Sequence, residues 1–160
     1  MSMAILIAYT GKHGTTQKCA NALKARLPGA EVWDLKSSEP DLTKYDAVIL
    51  GGSVYAGMPR KRLKAFAAGQ EAALAKKKLG LFLCCMADGE QAQKQMEAAY
   101  PASLLKTAAA KGVLGGGFCV SDMNFFEKFI VKKIDGKEPK DSFILRDDTL
   151  DAFVKAFGEN

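Results

Sequence analysis

The segment Ala4-Ile5-Leu6-Ile7-Ala8-Tyr9-Thr10-Gly11-Lys12-His13-Gly14-Thr15-Thr16 limits the fold more than any other part of the chain. A short apolar run reads as a buried strand. It passes through a loop of hydroxyl residues and glycines directly into a helical pattern. Such a loop presents backbone N–H groups and threonine hydroxyls at a helix N-terminus, where unpaired donors and a partial positive charge suit a phosphate. Gly11 and Gly14 let the backbone approach an anion closely. The loop is not a Walker A motif, because threonines follow its last glycine, and the Gly-x-Gly-x-x-Gly spacing is missing. The residues favour a monophosphate held without an obligatory lysine. An ordinary strand-to-helix turn with capping threonines is the alternative.

Further apolar runs bounded by turn residues predict strands at Met3–Tyr9, Ala30–Leu35, Tyr45–Gly51, Leu79–Cys85 and Val113–Val120. Helical patterns fill the intervals at Thr15–Leu27, Arg60–Leu74, Glu90–Lys111, Met123–Ile134 and Asp147–Phe157. Pro101 interrupts the third of these, which predicts two helices with a break. Strands alternating with helices imply an α/β fold with a parallel sheet covered on both faces. The doubly wound order 2-1-3-4-5, in three layers, fits five strands and an early phosphate loop. Residues 1–160 read as a single domain, with Gly115-Gly116-Gly117 the nearest thing to a hinge.

Tyr9-Thr10-Gly11-Lys12-His13-Gly14-Thr15-Thr16, followed by Ala20 and Leu23, resembles the phosphate loop and first helix of the FMN-binding flavodoxins. Gly11 stands where a serine or threonine is usual, and Thr10 or Thr15 could supply the missing hydroxyl. The resemblance covers nearly the whole chain and is closer to the branch that includes the menaquinone-dependent protoporphyrinogen oxidases. Val48–Gly57 is similar to that branch's second flavin loop, and Met123–Ile134 to its extra helical segment. Gly116–Asp122 stands where the branch usually carries an Arg- and Tyr-rich stretch. The resemblance implies a flavodoxin-like doubly wound five-stranded parallel sheet and FMN as cofactor.

In an open parallel sheet, ligands bind at the carboxyl ends of the strands where the strand order reverses. The expected cofactor contacts are therefore three loops. Thr10, Gly11, Lys12, His13, Gly14, Thr15 and Thr16 would hold the phosphate. Gly52, Ser53, Val54, Tyr55, Ala56 and Gly57 would line one side of the ring, with Tyr55 stacking on it. Cys85, Met86, Ala87, Asp88 and Gly89 would line the other. Close strand packing is the competing explanation for Gly51-Gly52. Trp33, on strand 2, reads as packing. His13 has no carboxylate or nucleophile paired with it in sequence, so no catalytic residue is assigned and no metal site is expected.

The chain carries a formal charge of +5, with Arg60, Lys61, Arg62 and Lys64 in one cluster and Lys128, Lys132, Lys133, Lys137 and Lys140 in another. Such patches attract anionic partners or membrane surfaces. No nucleic-acid motif accompanies them. Met123, Phe126, Ile130 and Ile134 follow helical spacing and predict one buried face. Phe125, Lys128, Phe129 and Lys132 offer a possible peripheral membrane contact. No run of about 18 apolar residues occurs, and the start of the chain lacks a secretory pattern, so a cytoplasmic protein is expected. Cys19, Cys84, Cys85 and Cys119 lack zinc spacing and read as reduced core thiols, a redox relay of Cys84, Cys85 and Cys119 being the alternative.

Three functions remain open. One is an FMN redox protein passing electrons between protein partners. Another is an FMN-dependent oxidoreductase of the protoporphyrinogen oxidase type, acting on a small organic or quinone substrate. The third is a flavin-free binding scaffold.

Overall fold

The computed structural model describes residues 3–11, 14–55, 58–118, 125–136 and 142–159. Its strands are β1 (Ile5–Thr10), β2 (Glu31–Asp34), β3 (Ala47–Tyr55), β4 (Met58–Pro59), β5 (Lys78–Cys84), β6 (Ala110–Phe118) and β7 (Ser142–Leu145). The helices are α1 (Thr15–Arg26), α2 (Lys61–Gly69), α3 (Glu71–Ala75), α4 (Gly89–Ala99), α5 (Ala102–Thr107), α6 (Phe125–Asp135) and α7 (Asp147–Glu159). The sheet order is β2-β1-β3-β5-β6-β7, with β4 paired to β3 alone. The five expected strands are β1, β2, β3, β5 and β6. They are mutually parallel and stand in the order 2-1-3-4-5, with β1 between β2 and β3.

Two strands lie outside that expectation. β7 runs antiparallel to β6 at the sheet edge, with Gly115 opposite Leu145 and Phe118 opposite Ser142. β4 folds back on the end of β3, pairing Tyr55 with Met58 and Val54 with Pro59. Proline is tolerated there because β4 is a two-residue edge strand. The segment after Gly51, expected as a loop, is thus an extension of β3 that closes in a hairpin.

Successive side chains along the central strands point to opposite faces, so the sheet has two cores. Leu6, Val48, Leu50, Leu81 and Leu83 pack against Leu63 and Phe66 of α2, Leu74 of α3, Met96 of α4 and Leu104 of α5. Ile7, Tyr9, Ile49, Phe82 and Cys84 pack against Cys19, Ala20 and Leu23 of α1 and Leu150, Phe153 and Phe157 of α7. The result is three layers. Arg26 and Asp151 join the two outer helices of the second core at 2.6 Å. Tyr100, fully buried, donates its hydroxyl toward the Phe82 carbonyl at 2.6 Å and the Leu50 carbonyl at 3.1 Å, tying β5 to β3.

Pro101 separates α4 from α5, as its missing N–H requires. β6 starts at Ala110, earlier than Val113, and α5 ends accordingly at Thr107. The glycines of β6 are not a hinge. A Cβ on Gly115 would lie 2.7 Å from the Ile144 carbonyl oxygen, and one on Gly116 would lie 2.4 Å from that of Cys85. These two glycines let β7 and the loop after β5 close onto β6.

Candidate functional site

The register of the parallel strands brings the expected loops together. Thr10, the last residue of β1, is opposite Gly52, and the next residue of β3, Ser53, is opposite Cys84 at the end of β5. The segments following β1 and β5 therefore leave the sheet beside the outer end of β3, at one edge. Lys12, His13, Ala56 and Gly57 lie outside the described residues, as does the side chain of Tyr55, the expected stacking residue.

Gly14 occupies the N-cap position of α1 with φ of 79°. This left-handed conformation suits glycine, and it leaves the helix N-terminus without a side-chain cap. The first turn of α1 also contains no acidic residue. Unpaired N–H groups and the helix dipole are thus left without their usual negative complement, the condition that favours a bound anion.

Beneath the loop lie two buried hydroxyls. Thr16 Oγ1 and Ser53 Oγ are both shielded from solvent and have no hydrogen-bond partner of ordinary geometry among the described residues. A Cβ built on Gly11 would lie 2.6 Å from Thr16 Oγ1 and 3.6 Å from Ser53 Oγ. Gly11 is therefore required by the Thr16 side chain, which fills the place where a residue-11 hydroxyl would begin. Thr15 does not come that near: the Thr16 side chain takes up this space. Buried hydroxyls are rarely left unpaired. Two of them at one loop, next to an open helix end, fit a ligand rich in acceptor oxygens.

The glycines of β3 have a packing explanation. The Phe82 ring would be 2.1 Å from a Cβ on Gly51, and the Leu63 methyl Cδ2 would be 2.6 Å from one on Gly52. Val54 is half-buried against the α2–α5 core. Ser53 is thus the polar side chain that this segment contributes among the described residues.

Loop 85–89 is held from both sides. Cys85 donates its N–H to the Gly115 carbonyl at 2.9 Å, and its side chain is buried. Arg146 donates from Nη2 to the Ala87 carbonyl at 2.8 Å. Sequence reasoning missed Arg146, because its partner lies 59 positions away. Met86 of this loop is 55% exposed, and Gly89 opens α4 with φ of 53°.

Of the thiols considered from sequence as a relay, Cys84 and Cys85 lie on opposite faces of the sheet. Cys84 faces Cys19 of α1, with the sulfurs 2.8 Å apart, whereas Cys85 points to the other face of the sheet. Cys119 lies outside the described residues. The contact with Cys19 and burial push the Cys84 thiol well up, the nearby Thr16 hydroxyl opposing them only in part. Burial raises Cys85 also. Both thiols stay protonated and unreactive at neutral pH. Tyr9 is raised by burial and by Asp34.

Elsewhere, Arg62 is committed to structure: its Nε donates to the Leu35 carbonyl at 3.0 Å and its Nη1 pairs with Glu39 at 3.2 Å. Arg60, Lys61 and Lys64 remain at the surface of that cluster. Trp33 packs half-buried on β2 and donates Nε1–H to the Ser38 carbonyl at 3.0 Å, in line with a packing role. Among the described residues no group of three His, Cys, Asp or Glu side chains could hold a metal.

A family profile described as Flavodoxin domain matches residues 6–143, which span both the loop and the sheet that carries it. The chain belongs to this flavodoxin family. Solved structures share the fold. The oxidised Flavodoxin 2 from Bacillus cereus is similar at 19% identity, with a TM-score of 0.56 and 98% of each chain covered. Flavodoxin 1 from the same organism is similar at 18% identity and a TM-score of 0.55, covering 98% of this chain and 99% of that one. A Fusobacterium nucleatum flavodoxin bound to flavin mononucleotide is similar at 16% identity and a TM-score of 0.51, covering 71% of this chain and 70% of that one. A search of the curated proteins gives no match.

Proposed function

We propose that this chain is an FMN-binding redox protein that passes electrons between partners. The observation that carries the reading is the phosphate cradle. Gly14 leaves the end of α1 without a side-chain cap, and the hydroxyls of Thr16 and Ser53, which lack a hydrogen-bond partner of ordinary geometry among the described residues, converge on Gly11. The FMN phosphate would sit against the backbone of Thr10–Thr16, with Thr16 as the main hydroxyl contact. The ring would lie between the β3–β4 hairpin and loop 85–89, the latter kept in place by Arg146. Bound FMN supplies reversible one- and two-electron chemistry; the protein supplies position and exclusion of water. No acid–base pair is assigned among the described residues, and electron transfer needs none.

The test is direct. Adding FMN to the flavin-free protein should quench flavin fluorescence with one-to-one stoichiometry and give a bound-flavin absorbance spectrum. No uptake would favour the flavin-free scaffold instead. A second reading, an FMN-dependent oxidoreductase of the quinone-linked protoporphyrinogen oxidase type, is favoured by the basic surface and by α6. It requires turnover of a reduced organic substrate that speeds up when a quinone is added. The free thiols Cys19, Cys84 and Cys85 support a reducing, cytoplasmic setting. Anionic redox proteins are the proposed partners, drawn to Lys61, Lys64, Lys132 and Lys133.

A further inference from the structure

The sequence pattern predicted that Met123, Phe126, Ile130 and Ile134 would form a buried face; Met123 lies outside the described residues, and the structure leaves the other three exposed. Phe126 is 68% exposed, Phe129 56%, Ile130 36% and Ile134 78%. With about 100° between successive residues of an α-helix, these four fall within one arc of about 140° on α6. Among the described residues, α6 shares no extensive packing with any other element. Scattered exposed apolar residues are ordinary, but four large ones on one face of a short helix mark an interaction surface.

The charges identify what the surface fits. Lys132 and Lys133 are exposed, Lys133 within the apolar arc by its position and Lys132 beside Phe129. The whole chain carries +5. Phenylalanine and isoleucine interleaved with lysines are the composition of a helix that lies in a lipid interface, rings in the acyl boundary and ammonium groups among anionic headgroups. A second copy of the chain would bring like charges together instead.

We propose that α6 docks the protein on an anionic lipid bilayer. The inference goes beyond the flavin reading and does not depend on it. Its contact surface is Phe126, Phe129, Ile130 and Ile134, in place of the Phe125 and Lys128 that the sequence also suggested, whose side chains lie outside the described residues. α6 follows β6, whose carboxyl end lies at the same edge of the parallel sheet as Thr10, Ser53 and Cys84. Docking would therefore take place from the end of the molecule that carries the candidate site.

Co-sedimentation with vesicles tests this. The protein should pellet with phosphatidylcholine vesicles containing phosphatidylglycerol, and about tenfold less with phosphatidylcholine alone or in high salt. Phe126→Ser with Ile134→Ser should lower binding about tenfold or more, with circular dichroism and FMN uptake unchanged. Lys132→Ala with Lys133→Ala should weaken binding only to the anionic vesicles. Failure of the wild type to pellet with anionic vesicles would overturn the proposal, as would wild-type binding by the phenylalanine–isoleucine variant. A concentration-dependent dimer lost in that variant, without vesicle binding, would assign the face to a second copy and overturn it equally.

Discussion

Helices α1 and α6 are of similar length, and each follows a strand of the parallel sheet. Their fates are opposite. α1 has few large apolar residues, yet Cys19, Ala20 and Leu23 are all fully buried. α6 is much richer in phenylalanine and isoleucine, yet it presents Phe126, Phe129, Ile130 and Ile134 to solvent. The difference lies in what each helix connects. α1 joins β1 to β2, two parallel neighbours, so the chain must cross back over the sheet and lay the helix on it. α6 lies between β6 and β7, which are antiparallel neighbours. A hairpin connection needs no crossover, so nothing obliges α6 to return to the sheet. Topology, more than apolar content, decides which helix is covered.

The largest expected effect contrasts the two helices directly. Leu23→Ala in α1 should cost about 2–5 kcal/mol of unfolding free energy, whereas Ile134→Ala in α6 should change it by no more than about 0.5 kcal/mol. Urea denaturation monitored by circular dichroism would measure both. Equal losses would mean that α6 is packed after all.

A smaller effect separates structure from binding at the start of α1. Gly11→Ala forces a methyl into the space of the Thr16 side chain, at a cost of about 1–3 kcal/mol, and should weaken FMN binding about tenfold or more by displacing the loop. Titration by flavin fluorescence would report this. Unchanged affinity would place the phosphate elsewhere.

Thr16→Val sharpens the same point. The substitution keeps shape and removes a buried hydroxyl that has no hydrogen-bond partner of ordinary geometry among the described residues, so the flavin-free protein should be about as stable as wild type. Loss of a hydrogen bond to a charged oxygen should nonetheless cost about 1.5–3 kcal/mol of FMN binding. A loss of stability without loss of affinity would show that Thr16 is purely structural.

The mildest test concerns reactivity. With the Cys84 thiol held above its ordinary pKa, the thiolate is scarce at neutral pH and becomes available only as pH rises well past that ordinary value. Cys84 should thus resist iodoacetamide in the folded protein at pH 7, as should Cys19 through its complete burial, and both should react once the chain is unfolded, as mass spectrometry of labelled peptides would show. Prompt labelling of the folded chain would mean that the α1 side opens readily.

What could be read from sequence followed physical range. The five parallel strands announce themselves as apolar runs, and Pro101 breaks its helix by local chemistry. β7 is less visible, because Phe143 and Leu145 are only half-buried and Ile144 is exposed, the pattern of a short edge strand. Thr16 and Ser53 were recognisable as suitable residue types, but the reason for Gly11 is a contact with Thr16 that only the folded loop creates. Arg146 and the Cys19–Cys84 pair join positions far apart in the chain, and nothing local signals either. The exposure of α6 was hidden for a different reason. Its spacing is that of a buried helix, and periodicity does not distinguish a sheet from another apolar surface.

The pairing of Phe118 with Ser142 has a consequence for how this molecule can be altered. Because these two residues are neighbours on the sheet, the segment between them can be treated as a cassette. Replacing it with a tight turn would close an ordinary hairpin and leave the strand order intact. Grafting it onto another protein with an antiparallel edge hairpin would, by the same geometry, move whatever α6 recognises without moving the flavin site. The fold thus keeps two parts separable: the parallel sheet with the candidate site at its edge, and an edge segment that can be exchanged without disturbing it.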